Sequence, residues 1–287
     1  MSFLIDAFEP AFMQRALIGG LIAVIATSLV GTWIVLRGLA FLGDALAHGV
    51  IPGVALAVLW GFNPALGAFL SALVMSGLVT VVSNRTTVRD DTAIGLLFVG
   101  MLALGVTIIS KTGSFKTDVT VVLFGDSLGI TNSDIRNQII YTSIVIVCTV
   151  LLYRPFLALT FNEMKAQTLG MSPRLSQAAL LALLSLAIVA SFQAIGTLLV
   201  FGLLVAPPAT ATLLVRKVPL IMVVSMLVGF IAVISGLLIS FHYGTAGGAT
   251  MAGISVLEFF LVMIAQSTYR TFRKDTAEEE NEYVEAI

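Results

Sequence analysis

The stretch "LRGLAFLGDALAHGVIPGVALA", residues 36–57, decides how the chain is read. It is apolar enough to lie in hydrocarbon, yet Asp44 and His48 stand in its middle. Ionisable side chains are expensive inside a bilayer, rare there, and usually functional. Four residues apart on a helix, the two share one face. A carboxylate oxygen beside an imidazole nitrogen is a donor set for a divalent metal ion. Pro52 lacks an amide hydrogen, so the His48 carbonyl loses its usual helical partner. Gly43, Gly49 and Gly53 surround the pair, and small residues let neighbouring helices approach closely. A carboxylate, an imidazole, a freed carbonyl and a weakened helix suit a place where an ion sheds water and is handed on. The competing reading makes Asp44 buried polar glue, bonded to His48 or to a neighbouring helix.

Composition sets the solvent. The 287 residues are 58% hydrophobic and 11% charged, with a mean hydropathy of +1.05. Soluble domains carry about 25% charged residues, so this chain belongs to the membrane class. It has no basic stripe, which removes nucleic acid from the candidate partners. A single cysteine, Cys148, allows neither an internal disulfide nor a thiolate metal cluster. The N-terminal "MSFLIDAFEPAFMQR" carries Asp6 and Glu9 and no basic lead-in, which argues against a cleaved signal peptide.

A helical span needs about 20 apolar residues. Nine candidates follow: roughly 16–36, 38–60, 64–82, 92–110, 136–153, 175–194, 196–214, 218–240 and 248–267. The expected fold is all-α, a polytopic integral membrane bundle of about eight or nine helices. The apolar runs are continuous rather than alternating, which disfavours a barrel. Between the sixth and seventh spans, "SFQAIGTLL" is either an outer loop or a break within a packed pair. With the N-terminus outside, eleven basic residues fall in inner loops and four in outer segments. That asymmetry places the N-terminus outside and the C-terminus in the cytoplasm of a cell-membrane protein. The expected layout is an extracytoplasmic N-terminus (1–13), a permease domain (14–268) and a cytoplasmic acidic tail (269–287). The tail "DTAEEENEYVEAI" reads as a solvated, mobile end.

Two connections exceed turns. Residues 111–135 hold a short apolar core, "VTVVLFG", too short to cross a bilayer and suited to an interfacial or re-entrant piece. Within 154–174, "NEMKAQTLGM" reads as a short inner helix. Asn162 is its N-cap, Glu163 suits its first turn, Gly170 closes it and Pro173 blocks continuation. It is either a surface loop or a docking surface for a soluble partner.

Arg37 marks the inner end of the second span. Asp44 then lies about 10 Å deep and His48 about 16 Å, near the middle of a core about 30 Å thick. Glu258 is the other acidic group at depth, either meeting a Ser or Thr on a neighbouring span or taking part in transport. His242, in "SFHYGTAGG", falls near an outer mouth, as a metal gatherer or as a residue without a role. The interior offers two carboxylates and no Lys or Arg, which favours a cation path over an anion path. Oxygen and imidazole donors without thiolate suit Mn²⁺, Fe²⁺ or Zn²⁺ better than Cu⁺. Pro207 and Pro208, in "GTLLVFGLLVAPPATATLL", are expected to break their helix in mid-span and form a second mobile element. No GxxxxGK[ST] occurs, so the chain is not itself a phosphate-loop ATPase.

The chain resembles the permease subunits of ABC importers for manganese, zinc and iron. The likeness runs over about residues 14–265. It rests on 35–57, "DTAIGLLFVGMLALGV" (91–106), "LFGDSLGI" (123–130), "AQTLGM" (166–171), "AIGTLLVFGLLVAPPATATLL" (194–214) and "GLLISFHYGTAGGAT" (236–250). Gly43, Asp44, His48, Pro52 and Gly53 match the family's pattern position by position. Pro208 stands where the family usually has alanine. The resemblance implies a non-enzymatic transport subunit with no permanently bound cofactor, carrying Mn²⁺ or Zn²⁺, with Mn²⁺ slightly favoured by the "DTAIG" and "AQTLGM" blocks. It implies two permease copies on cytoplasmic ATP-binding subunits and an extracytoplasmic metal-binding protein. Asn162, Glu163, Ala166, Leu169 and Gly170 match the coupling helix that touches the ATPase. Asp44 and His48 match metal-pathway residues at the outer gate, and Gly43, Pro52, Gly53, Pro207 and Pro208 are the expected pathway and gating residues. The alternative is an ATP-independent secondary transporter or channel for divalent cations.

Overall fold

In lipid each backbone amide and carbonyl must be satisfied within the protein. The computed structural model describes residues 8–85, 90–110, 129–161, 164, 167 and 170–285, and among these the chain forms helices and no strand. They are α1 (Ala11–Leu36), α2 (Ala40–Gly49), α3 (Ile51–Trp60), α4 (Pro64–Arg85), α5 (Asp90–Ser110) and α6 (Asn132–Leu151). There follow α7 (Tyr153–Phe161), α8 (Pro173–Ile195), α9 (Thr197–Leu214), α10 (Val218–Tyr243) and α11 (Gly247–Glu285). Eight segments are long and apolar enough to cross a membrane, α2 and α3 counting as one, and Val200–Leu214 adds a shorter apolar helix. The chain is a multi-pass helical membrane protein.

The centre of the bundle is α1, which packs against α6, α8, α9 and α10. Its sequence permits this because Gly, Ala, Ser and Thr recur on every side. Ala23, Val24, Val30, Trp33 and Ile34 are fully buried. Trp33 meets the rings of Tyr153 and Phe156 edge-on at 5.6 and 5.7 Å, a favoured aromatic geometry. Several hydroxyls in the interior return to their own helix. Thr27 donates to the Ala23 carbonyl, Thr32 to Ser28, and Thr210 to Ala206, so no lipid-facing donor is left at these positions. By contrast α5, α6 and α11 turn most of their surface outward.

Termini follow local chemistry. Thr131 and Asp134 form a reciprocal capping box at the start of α6. Ser172 caps α8 with Pro173 in the first turn. The Asn63 side chain accepts from the Ala65 amide at 2.8 Å, opening α4.

One open alternative is decided and several expectations change. The sixth and seventh spans are joined by a break and not by an outer loop: α8 ends at Ile195 and α9 begins at Thr197. The link is Gly196 alone, at φ +90°, a backbone state that a side chain strains. Pro207 and Pro208 do not break α9, which runs through both. The missing amide of Pro208 frees the Leu204 carbonyl. That oxygen points at Gly31 of α1, where a Cβ would lie 2.0 Å from it. Glycine at position 31 is what leaves room for this close approach of the two backbones. The helix begun at Gly247 continues through the acidic tail to Glu285. Past Gly253 it meets no glycine or proline, and Ala and Glu are good helix formers. An additional helix, α7, occupies the start of the connection between α6 and α8, with Phe156 and Leu159 buried. The apolar piece expected within 111–128 lies outside the described residues.

Candidate metal-transit site

The span carrying Asp44 and His48 is a helix interrupted at a single residue. α2 ends at Gly49, α3 starts at Ile51, and the Val50 amide turns back to the His48 carbonyl. Pro52 sits in the first turn of α3, where its missing amide is tolerated. Beside the interruption, Ser71 of α4 donates its hydroxyl to the Gly49 carbonyl at 2.6 Å. Across the same seam Gly53 and Gly67 meet backbone to backbone. A Cβ on Gly53 would lie 2.0 Å from the Gly67 oxygen, and one on Gly67 would lie 2.3 Å from the Gly53 oxygen. Gly49 and Gly53 are spaced as small-xxx-small, as are Gly67 and Ser71 on the facing antiparallel helix. That facing pattern is the signal in the sequence for Gly67 and Ser71, which the sequence reading did not single out.

His48 Nε2 and Asp44 Oδ1 stand 3.6 Å apart. This is too long for a hydrogen bond. Two donors each about 2.1 Å from one tetrahedral ion stand roughly 3.4 Å apart, so little motion would let both hold the same cation. The separation also falls within ion-pair range, the geometry of the competing reading. His48 is 12% exposed and Asp44 30%, which leaves the pair open on one side of this chain. The Phe98 ring of α5 meets the His48 ring edge-on at 5.1 Å. His48 Nδ1 is buried without a hydrogen-bond partner among the described residues. No group of three or more His, Cys, Asp or Glu side chains gathers among them. One chain thus supplies two donors, fewer than a dehydrated dication takes.

The remaining predicted residues divide. Gly43 lies against α9, where a Cβ would come 2.7 Å from a Leu204 methyl. This joins α2 to the residue whose carbonyl Pro208 frees. Pro207 and Pro208 are both buried within this chain. His242 is exposed, with Nδ1 2.8 Å from the Leu238 carbonyl, and it does not join the Asp44 pair. Glu258 does not find the expected Ser or Thr: its Oε2 is buried with no hydrogen-bond partner among the described residues. Of the coupling residues, Asn162, Glu163, Ala166 and Leu169 lie outside the described residues. Gly170 adopts φ +72°, and its amide bonds the Gln167 carbonyl at 3.0 Å, the left-handed helix ending expected of it.

Comparison with known proteins bears on the fold and the family. A relative from Listeria monocytogenes named manganese transport system membrane protein MntC is 34% identical over 264 residues, covering 92% of this chain and 94% of that protein. A Yersinia pestis relative named chelated iron transport system membrane protein YfeD is 31% identical over 263 residues, covering 92% and 88%. A solved chain of PsaBC from Streptococcus pneumoniae, in complex with Fab, superposes with a TM-score of 0.83 at 29% identity, covering 91% of this chain and 94% of that one. The model of the ABC 3 transport family matches residues 9–266. The helical membrane bundle and these likenesses make the chain a member of the ABC 3 transport family, a family of metal ABC transporter permeases.

Proposed function

We propose that this chain is the membrane permease of an ABC importer that moves a divalent transition metal into the cytoplasm, with Mn²⁺ favoured and Zn²⁺ close behind. The observation that carries the reading is the separation of Asp44 and His48: one helical turn, 3.6 Å between donor atoms, half-enclosed within the bundle. Two copies of the chain, facing one another, would bring four donors to one ion and complete the shell that one chain leaves short. Ligand exchange by a helix interrupted at Val50 lets the site hold the ion briefly and release it.

In this reading the extracytoplasmic end receives the metal from a binding protein and a cytoplasmic ATP-binding subunit docks near residues 162–170. Mn²⁺ draws support from the relative named for manganese. The relative named for chelated iron keeps Fe²⁺ in the comparison. Asp and His suit all three ions, and Zn²⁺ binds such donors more tightly than Mn²⁺. The test is uptake into vesicles by the permease reconstituted with its ATP-binding partner, using Mn²⁺, Zn²⁺ and Fe²⁺ in parallel. ATP-dependent accumulation of Mn²⁺ that Asp44→Asn abolishes is the expected result. Accumulation that needs no ATP would favour the secondary-transporter alternative, and full uptake by Asp44→Asn would remove the site.

A further inference from the structure

A groove of about 660 Å³ opens between the first turns of α1 and α6, far in character from the metal pair. The two helices enter the bundle from the same end. Gln138 of α6 donates to the Gly19 carbonyl of α1 at 2.9 Å, which fixes their parallel register. Arg15 and Arg136 therefore reach the groove at similar depth. Neither guanidinium has a carboxylate within ion-pair distance among the described residues. The Arg15 Nε is buried and has no hydrogen-bond partner there. The nearby Asp134 carboxylate accepts from the Thr131 amide and hydroxyl at the helix cap.

Deeper in the groove the wall changes. Ile18, Ile139 and Ile140 line it and are 45%, 49% and 49% exposed. A step of three or four residues is about 5 Å along each helix. Two cations at the rim and isoleucines one turn further in reproduce, in complementary form, an anionic headgroup followed by an acyl chain. Guanidinium groups bind phosphate oxygens in bidentate fashion and are less strongly hydrated than lysine ammonium groups. A free phosphate would use the rim and leave the isoleucines without a role.

We infer that this groove binds an anionic glycerophospholipid, its phosphate between Arg15 and Arg136 and an acyl chain along Ile18, Ile139 and Ile140. The inference stands independently of which metal is carried.

The complex with its ATP-binding partner, delipidated in detergent, is titrated with phosphatidylglycerol, with phosphatidylcholine and with inorganic phosphate, and retained lipid is counted by native mass spectrometry. Phosphatidylglycerol is expected to bind in preference to phosphatidylcholine. Arg15→Gln and Arg136→Gln are each expected to weaken it about fivefold. Arg136 is exposed, so its variant keeps the fold and the test intact. Equal retention of both lipids, or unchanged binding by Arg136→Gln, overturns the inference. Displacement of the lipid by millimolar inorganic phosphate assigns the groove to free phosphate and overturns it too. So does a variant that loses an extracytoplasmic protein partner while holding the lipid as before.

Discussion

Replacing Gly53 with alanine tests the seam on which the metal pair depends. The new Cβ would lie 2.0 Å from the Gly67 oxygen, 2.5 Å from the Ser71 Cβ and 2.7 Å from the Gly67 carbonyl carbon. Ordinary contact begins near 3.4 Å, so α3 and α4 must separate by roughly 1.4 Å. Two backbones absorb this, because no flexible side chain stands between them. Overpacking a dense interior costs about 1–3 kcal/mol, and rigid backbone on the far side argues for the upper end. Alanine returns up to about 1 kcal/mol of helix preference, leaving a net loss of about 2 kcal/mol. At about 2–4 °C per kcal/mol, thermal unfolding in detergent should begin about 4–8 °C lower. Gly100→Ala is the matched control. A Cβ there meets nothing within 4 Å, so that variant should melt at or slightly above the parent temperature. Metal uptake should fall further than stability in Gly53→Ala, since α3 continues the helix that carries His48. If Gly53→Ala and Gly100→Ala melt together, the backbone seam is not what the packing implies.

Gly49→Ala makes a graded companion: its Cβ would lie 2.2 Å from Met75 Sδ, the end of a flexible side chain. Rotation of Met75 should hold the loss near 1 kcal/mol, and a thermal shift as large as that of Gly53→Ala would contradict it. Asp44→Asn and His48→Ala should each weaken metal binding at least tenfold, as loss of even an outer-shell partner does. Isothermal titration of the assembled complex checks this, and wild-type affinity in either variant counts against the donor pair. Gln138→Leu keeps the shape of the α1–α6 contact but removes the donor to Gly19. The expected loss is about 1 kcal/mol, read as a lower unfolding midpoint with uptake unchanged. Ser71→Ala removes the hydroxyl bonded to the Gly49 carbonyl. It should leave assembly intact and slow uptake, and an unchanged uptake rate would show that this bond does not hold the interruption in place.

The spans were legible because lipid admits few solutions: a long apolar run must become a helix. Asp44 and His48 were legible for the converse reason, since charge in such a run demands a cause. Less visible was how prolines behave once neighbours are present. Pro207 and Pro208 read as a break, because the sequence does not show that Gly31 lies opposite the carbonyl that Pro208 frees. Gly196 read as either loop or hinge, and only its φ of +90° and its place between adjoining helices decide between them. Gly67 and Ser71 were written in the sequence but carried no charge to draw attention. That Glu258 Oε2 is left without a hydrogen-bond partner among the described residues could not be inferred, because contact across helices depends on rotation about each axis, which hydropathy leaves open.

The position of α1 has a consequence for biogenesis. α1 is synthesised before all four helices that come to enclose it, α6, α8, α9 and α10. Three of those four are synthesised more than a hundred residues later. α1 is apolar enough to enter the bilayer alone, so it waits there with its glycines and hydroxyls facing acyl chains until its neighbours arrive. A nascent chain stopped before Pro173 would hold a stranded axle without its wheel, the species that membrane quality control should meet first.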